Sequence, residues 1–422
     1  MRELKLNINQ TTTILSILYI NNAFFGFIKD IRILNAICLL CMVLWIFVAS
    51  KEGGFISKCF TTCFPLVIYT SFLILVYFLT SSNMGSGLWQ SLRNAFFSLI
   101  CSFLCLYILP QDKKTKKQVF IFLMVSILLG CAYTLYRIQA NPLLPRILAM
   151  SASGVEKYLG GNVNTVGILT YGEIYGMALI IPSILYWISQ KQGQKKLIPI
   201  TILIIFTITI FKAQFAIAFI FVMVSIALYL IMCGGLSNAR FIISGVFLVV
   251  AIIVAVNWDS ILSIIYSANI LPSALQQKAH ELLLYSEGGN LAGTNLYSRS
   301  TYYAQSFKAI AQNNFVGKVF SNNASGAGHS EWEDMAANYG ILAPILVYSF
   351  FHKFSKKVFV FLEDKAITVY RLQLLIFIII GFVDPIFHSR TMSFLLFLSP
   401  LILTMYEGSN EEESIGGQMN NN

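Results

Sequence analysis

Charged residues are scarce in this chain: its 422 residues are 57% hydrophobic and only 11% charged. A typical soluble domain is about 25% charged, and its core cannot hide so large an apolar fraction. Apolar runs of about 20 residues, the length that crosses a bilayer, follow one another along most of the sequence. The composition therefore excludes an ordinary soluble enzyme and predicts an all-α polytopic membrane protein.

The chain also lacks the patterns expected of a nucleic-acid or metal-binding protein. Its net charge is +10, but lysine and arginine fall in short clusters between apolar runs, where they set the orientation of membrane spans. Metal-ligand spacing such as His-Glu-x-x-His is missing, and the glycine-containing stretch SGAGHS follows no predicted strand. The sequence therefore predicts no nucleic-acid partner and no metal or nucleotide cofactor.

About twelve apolar spans are predicted, which places both termini on one side of the membrane. Basic residues are more frequent in the short loops of that side, so both termini are predicted to be cytoplasmic and the long polar loop to be outside. The predicted organisation is nine spans within residues 1–257, a loop or lid over 258–335, three spans within 336–406 and a disordered tail over 407–422. The spans are expected near residues 11–28, 31–50, 60–80, 91–109, 118–136, 166–189, 197–211, 214–232, 241–257, 336–351, 370–387 and 391–406.

The long outer loop is predicted to contain an amphipathic helix over residues 294–313. Arg299, Tyr303, Phe307 and Ile310 recur there at helical spacing, so one stripe carries an arginine followed by three apolar side chains. We expect this stripe to lie against an apolar surface.

A second helix is predicted to begin at about Ser330, because Ser330 and Glu333 have the spacing of a capping box and acidic residues fill the first turn. His329 precedes this helix, whose N-terminal dipole and free amides attract anions. A histidine titrates near neutral pH and can take a proton from a hydroxyl group. His329 is therefore a candidate general base. The alternative is a histidine packed against Trp332 or the helix cap.

Cations of the predicted outer loops and turns are candidates for holding an anionic ligand. Arg299 shares the long loop with His329, and a guanidinium suits bidentate contacts with phosphate. Lys212 lies in a tight turn after the seventh span, where it either points into a cavity or snorkels to the headgroups. Arg146 lies in a second outer loop, and Arg390 lies in the last hairpin.

Polar groups at membrane depth form a further set, since charge there is costly and is usually paired or functional. Glu173, about two turns into the sixth span, is either a buried ion-pair partner or a catalytic carboxylate. Asp384, His388 and Arg390 cluster in the outer turn VDPIFHSR, where Pro385 breaks the helix. They are secondary site candidates, with a purely structural turn as the alternative.

Five short stretches occur in a definite order. They are NVNTVG before a span, the turn FKAQF, the arginine-led YSRSTYYAQSFKAI, NNFVG, and HSEWEDMAANYGIL with its leading histidine. In this order, over about residues 160–350, they resemble the superfamily of bacterial O-antigen polymerases and O-antigen ligases. The resemblance implies a GT-C-like inner-membrane glycosyltransferase whose active site faces the periplasm and which needs no cofactor.

The resemblance also implies a donor glycan linked to undecaprenyl diphosphate and an acceptor hydroxyl that His329 activates, with Glu331 or Glu173 sharing or replacing that role. Arg299 and Lys212 correspond to the cations that hold the diphosphate in such enzymes. Relatives often have arginine where Lys212 stands, so bidentate phosphate contact is lost there. Further diphosphate-binding candidates are Arg146 and Arg390.

The acceptor distinguishes the two activities of the superfamily. A polymerase extends a repeat unit on lipid diphosphate, whereas a ligase transfers the glycan to lipid A core. Polymerase is favoured here, because the match to the ligase pattern is loose. Its implied partners are the lipid-linked donor and acceptor, the bilayer and a chain-length regulator. A flippase is the alternative of a different class, but no internal repeat of the kind common in transporters is present.

Overall fold

A computed structural model of the chain describes most of the predicted helical regions, and all regular secondary structure in them is helical. The predicted spans near 11–28 and 241–257 lie almost entirely outside the described residues, and so does the tail at 407–422. The described residues are 13, 15–17, 32–51, 54–80, 85–149, 167–233, 257–268, 273–286, 288, 294–321, 326 and 328–405.

The helices follow one another with short turns between them. A 3₁₀ turn over Gly193–Lys196 precedes α7, and a π-helical turn over Phe394–Leu398 joins α16 to α17. The described α-helices are α1 (Arg32–Ser50), α2 (Phe55–Thr80), α3 (Gly85–Ile108), α4 (Lys113–Ala140), α5 (Leu144–Leu148), α6 (Tyr171–Ser189), α7 (Leu197–Lys212), α8 (Ala216–Cys233), α9 (Trp258–Ser267), α10 (Ser273–Ser286), α11 (Asn295–Gln312), α12 (Lys318–Ser321), α13 (Glu331–Tyr339), α14 (Leu342–Phe359), α15 (Asp364–Val383), α16 (Ser389–Ser393) and α17 (Ser399–Met405).

Seven described helices are long and apolar enough to cross a membrane, namely α2, α3, α4, α6, α7 with its 3₁₀ turn, α8 and α15. Each of them overlaps a predicted span. The described apolar parts of α1 and of the α16–α17 segment are shorter. The chain is therefore an all-helical, multi-pass membrane protein, as its composition predicts. The total of about twelve spans, the GT-C-like arrangement and the orientation remain predictions.

Helix α6 is the centre of the bundle. Nearly all of its side chains are buried, and it packs against α7, α8, α15 and α16. A buried polar chain crosses these layers: Gln373 donates from Nε2 to the Leu179 carbonyl oxygen at 2.9 Å, and Ser399 donates to Gln373 Oε1 at 2.5 Å. Because α6 is held on all sides, the polar residues in its first turn have fixed positions.

Residues 336–351, predicted as one span, are divided between two helices. Gly340 has a φ of +87°, which ends α13 and lets α14 begin two residues later. The long polar loop, which is called the outer loop after its predicted side, packs into this break, where a Cβ on Gly317 would come within 2.3 Å of the Gly340 nitrogen. Ile341 also donates its N–H to the Phe315 carbonyl oxygen at 3.0 Å. The outer loop is therefore fastened to the start of α14.

Helix α11 forms as predicted, but its predicted stripe is only partly buried: Tyr303 donates its hydroxyl to the Phe382 carbonyl oxygen of α15 at 2.9 Å, while other residues of α11 lie deeper. Phe307 is 59% exposed, whereas Ser306 and Asn313 are buried. Ser306 donates its hydroxyl to Asp334 Oδ1 at 2.6 Å, and Asn313 donates from Nδ2 to the Ala337 carbonyl oxygen at 3.1 Å. These two polar side chains lie inward, on either side of the buried Ala309, because α13 supplies a hydrogen-bond partner for each of them.

Candidate active site

The turn between α15 and α16, residues 384–388, joins the bundle to the outer loop. Arg299 of α11 reaches into it and donates to Asp384 Oδ1 at 2.9 Å and to the Val383 carbonyl oxygen at 2.6 Å. The hydroxyl of Tyr175, on α6, donates to the other carboxylate oxygen of Asp384. The Arg299 side chain keeps 26% of its surface exposed, while that of Asp384 keeps 8%. Arg299 is thus held by a buried carboxylate while part of its guanidinium stays accessible.

A second arginine–carboxylate pair lies just beyond the turn. Arg390 contacts the Glu173 carboxylate on α6 through Nη1. The other oxygen of Glu173 accepts from the backbone N–H of Thr170 at 2.9 Å and from its hydroxyl at 3.0 Å. Of the two interpretations of Glu173, this geometry is that of a buried ion-pair partner, since its side chain is fully buried.

Lys278 of α10 is a cation that the sequence reasoning missed. Its ammonium group lies 3.0 Å from Glu281 Oε2. Burial, together with the nearby positive charges of Arg299 and Arg146, lowers the pKa of Lys278, while Glu281 opposes the shift. Cations from α5, α10 and α11 therefore come together. The only sequence signal was the Lys–Glu spacing in QKAHE, and no local pattern connects it to Arg146.

A polar cavity of about 270 Å³ opens beside the turn. Amide and hydroxyl groups of α3 form one wall, α13 and the residues before it form a second, and the 384–388 turn forms a third. The lining residues are Tyr69, Gly87, Gln90, Ser91, Asn94, Gly328, Ser330, Glu331, Asp334, Met335, Asn338, Tyr339, Pro385, Phe387 and His388. The cavity thus has the neutral hydrogen-bonding groups and the ionisable groups that a polar ligand needs.

Glu331 is the carboxylate of this cavity with the most altered acidity. Burial raises its pKa from an ordinary 4.5 to about 7, and the charge of Asp334 acts in the same direction. The N–H of Phe387 opposes the shift by donating to Glu331 Oε2 at 2.8 Å. Glu331 therefore exchanges a proton near neutral pH, which is the property of a general acid or base.

His388 also lines the cavity, next to the ring of Tyr171 at a centroid distance of 5.4 Å. Burial lowers the pKa of His388 to about 4, and the charges of Arg390 and Arg93 add to this effect against that of Glu173. His388 is therefore neutral at neutral pH and is suited to hydrogen bonding rather than to carrying charge.

His329 stacks on Tyr302 of α11, with ring centroids 4.0 Å apart and planes 10° from parallel. Its neighbours Gly328 and Ser330 line the cavity, but its own ring does not. Burial and the charge of Arg299 lower the pKa of His329. The ring packs on Tyr302 rather than on Trp332, whose indole N–H donates to the Ile378 carbonyl oxygen at 2.9 Å.

The hydrogen bonds at the start of α13 differ from those of the predicted capping box. The N–H of Ser330 donates to Asp334 Oδ2 at 2.8 Å, while its hydroxyl donates to the Glu333 carboxylate. Since Asp334 also accepts from Ser306, one buried carboxylate connects the helix start to α11. This connection fixes the backbone on either side of Glu331.

Lys212 is the exposed last residue of α7. Lys212 is not among the residues that line the cavity. The turn that follows it does reach the site, because Phe215 packs edge-on against Tyr171 at 5.9 Å and Tyr175 at 6.3 Å. The diphosphate-binding role of Lys212 remains a prediction.

Among the predicted residues, Glu331 and His388 line the cavity. Arg299 and Arg390 are instead paired with Asp384 and Glu173, and Arg146 lies near Lys278. Within the part of the chain described, no cluster of histidine, cysteine or acidic residues suits a metal ion. Comparison with known protein families and with curated proteins finds no match for this chain.

Proposed function

We propose that this chain is a glycosyltransferase that takes a glycan from a polyprenyl diphosphate and joins it to the hydroxyl of a lipid-linked repeat unit, as a surface-polysaccharide polymerase such as an O-antigen polymerase does. One observation carries the proposal. Arg299 is paired with Asp384, which directly precedes the cavity-lining residue Pro385. Lys278 and Arg146 are nearby cations, and the cavity contains a carboxylate, Glu331, with a pKa of about 7.

The gathered cations support the donor half of the reaction. Like charges held close together repel one another, and an anionic ligand between them relieves that repulsion. Arg299 uses two donor groups on Asp384 and Val383, and a guanidinium has five N–H groups, so it can still bind phosphate. A diphosphate leaving group gains negative charge in the transition state, and fixed cations stabilise that charge.

Glu331 supports the acceptor half. In the proposed step its carboxylate accepts the proton of the acceptor hydroxyl, and the hydroxyl oxygen forms a bond to the anomeric carbon of the donor. The bond from that carbon to the diphosphate oxygen breaks, and its electron pair leaves with the diphosphate. A base with a pKa near the working pH suits this role. The role predicted for His329 as the base is the competing assignment.

The wall of α3 suits the acceptor sugar. Gln90, Ser91 and Asn94 face the cavity together with Asn338 of α13. Their amide and hydroxyl groups can both donate and accept hydrogen bonds, as recognition of sugar hydroxyls requires. This wall lies in the same cavity as Glu331, so an acceptor bound there has its hydroxyl within the reach of the base.

Transfer by purified protein in nanodiscs tests the proposal, with polyprenyl-diphosphate-linked oligosaccharide as donor and acceptor and laddered products as the readout. Glu331→Gln should lower the rate by about 10² to 10⁴, the usual contribution of a positioned base. Glu333→Gln is the matched control, because Glu333 lies on the same helix outside the cavity wall. Equal activity of the two variants would remove Glu331 from the mechanism.

The same preparation separates the alternatives. Transfer only to lipid A core would identify a ligase. Movement of the lipid-linked glycan across sealed vesicles without any transfer would identify a flippase and overturn the enzyme assignment.

A further inference from the structure

The turn between α11 and α13 exposes a group of large apolar side chains. Phe315 is 56% exposed, Val316 49% and Phe320 66%. Exposed single apolar residues are common, but three within six residues form a patch, and patches mark interaction surfaces. We call residues 313–320 the aromatic turn.

The aromatic turn has a strained backbone conformation, which keeps its apolar side chains exposed. Asn314 and Phe315 have φ values of 49° and 63°. The left-handed region costs a residue such as phenylalanine about 1–2 kcal/mol, so the surrounding structure must enforce it. The hydrogen bond from Ile341 to the Phe315 carbonyl oxygen and the close approach of Gly317 to Gly340 supply that constraint. The outward position of the aromatic side chains is therefore built into the fold.

The aromatic turn lies beside the membrane-spanning helix α2, and α2 extends beyond the point where the two are in contact. The ring of Phe320 is 6.1 Å from that of Phe72 on α2. Helix α2 continues from Phe72 to Thr80, which is about 12 Å at 1.5 Å per residue. Along that stretch it exposes Leu75 and Phe78, which are 56% and 76% exposed. The turn therefore lies at the depth of apolar, outward-facing residues of a span.

The first turn of α14 continues the same surface on the other side. Ile341, Leu342 and Ile345 are 48%, 62% and 52% exposed. The aromatic turn thus lies between the outward-facing surfaces of α2 and α14. Its one charged residue is Lys318, which is half-buried, and a lysine stem can lie along apolar surface while its ammonium group stays at the headgroups.

We propose that the aromatic turn inserts Phe315, Val316 and Phe320 among the acyl chains of the leaflet that the cavity faces. The occupant is bulk membrane lipid, because the patch is continuous with the lipid-facing surface of α2. The turn connects to α11, which carries Arg299, so its insertion fixes the depth of that helix relative to the membrane surface. This inference does not depend on the proposed reaction.

Photocrosslinking from p-benzoylphenylalanine tests the insertion. The photoreactive residue replaces Phe320 or Phe315, an aromatic for an aromatic, in full-length protein in nanodiscs of phosphatidylethanolamine and phosphatidylglycerol. Lipid adducts are then counted by mass spectrometry. Phe78→p-benzoylphenylalanine on α2 is the lipid-exposed reference, and Gln305→p-benzoylphenylalanine on the exposed face of α11 is the aqueous control.

Insertion predicts a lipid-adduct yield at position 320 close to that at position 78 and at least about fivefold above that at position 305. A yield at both 315 and 320 no higher than at 305, with normal yield at 78, overturns the proposal. Adducts at 320 with copurified polyprenyl lipid alone, and none with the nanodisc phospholipids, would also overturn it, since they would make the patch a substrate groove.

Discussion

The two arginine–carboxylate pairs on either side of the 384–388 turn differ in what each arginine can still do. Glu173 is fully buried and holds Arg390 against the first turn of α6, with 28% of the Arg390 side chain exposed, close to the 26% of Arg299. Asp384 holds Arg299 from the opposite side, but Arg299 comes from the outer loop and has Lys278 as a neighbouring cation. Since the two arginines are equally exposed, they differ in their surroundings: the Arg390 partner is a fully buried carboxylate, whereas Arg299 has a second cation, Lys278, nearby. We therefore expect Arg390 to stabilise the fold and Arg299 to bind the ligand of the proposed reaction.

The largest effect should follow from breaking the buried pair. Arg390→Met leaves the Glu173 charge buried without its partner, and removing one member of such a pair costs about 3–5 kcal/mol of folding stability. The double variant Glu173→Gln with Arg390→Met should recover most of that loss, because no unpaired charge remains. The stability of the single and the double variant can be measured by heating detergent-solubilised protein and recording the fraction that stays monodisperse at each temperature.

Arg371→Met supplies the control for this comparison. Arg371 is exposed and lies over the ring of Phe359 at 5.1 Å, so its loss should cost only about 0.5–1 kcal/mol. If the Arg390→Met variant unfolds at no lower a temperature than the Arg371→Met variant, the Arg390–Glu173 pair does not stabilise the fold.

Changes to the Arg299–Asp384 pair should lower activity rather than folding stability. Arg299→Lys keeps a positive charge but loses the planar fork, and losing one charge-assisted contact with phosphate costs about 1.5–3 kcal/mol. We expect at least about a tenfold drop in kcat/KM for the lipid-diphosphate donor, with little change in unfolding temperature. Lys308→Arg, on the exposed side of the same helix, should behave like wild type.

The Asp384→Asn variant tests whether Asp384 acts through Arg299. Asp384 is a positioning residue, so its loss should lower donor turnover only through Arg299. In the Arg299→Lys background, Asp384→Asn should therefore add much less than it does alone. Additive losses would mean that the two residues act separately.

The pH dependence should come from Glu331 rather than from either arginine. As a base, Glu331 must be deprotonated, so the rate should rise about tenfold per pH unit below a midpoint near 7 and then level off. His388, with its pKa lowered to about 4, should add no inflection near neutral pH. A flat rate between pH 5.5 and 8, at constant binding of donor, would exclude Glu331.

Stability should change with pH in the opposite direction. The pKa of Glu331 is raised on folding, from 4.5 to about 7. Its stabilising contribution is therefore present below the unfolded value and is lost as pH rises through the folded value. Glu331→Gln should remove this decline, which unfolding temperatures measured at pH 5 and pH 8 would detect. A wild-type protein equally stable at both values would contradict the raised pKa.

Helix positions were largely predictable from the sequence, since apolar length alone decides which segments can cross a bilayer. The start of α13 was also predictable from its acidic first turn. The break at Gly340 was not, because it depends on the packing of a distant glycine, Gly317, against it.

The site was predictable by residue type but not by pairing. Arg299 was recognised as a loop cation suited to phosphate, Arg390 as a polar group of the last hairpin and Glu331 as a substitute base implied by the resemblance. Nothing local shows that Arg390 contacts Glu173 or that Arg299 contacts Asp384. The role of Lys278 depends on its nearness to Arg146, which only the folded chain creates. On α11, the prediction that Phe307 faces inward was wrong, because hydropathy favours Phe307 whereas the buried Ser306 has a carboxylate partner.

The smallest effect is expected at His329, and it tests which group is the base. His329→Gln keeps a polar side chain of similar size but cannot take a proton at neutral pH. Because the ring lies on Tyr302 and outside the cavity wall, we expect activity within about threefold of wild type, since loss of a positioned base would cost at least about 10²-fold. His329→Phe, which keeps the stacking, should be equally active. A loss of transfer in both variants, with normal donor binding and unfolding temperature, would move the base from Glu331 to His329.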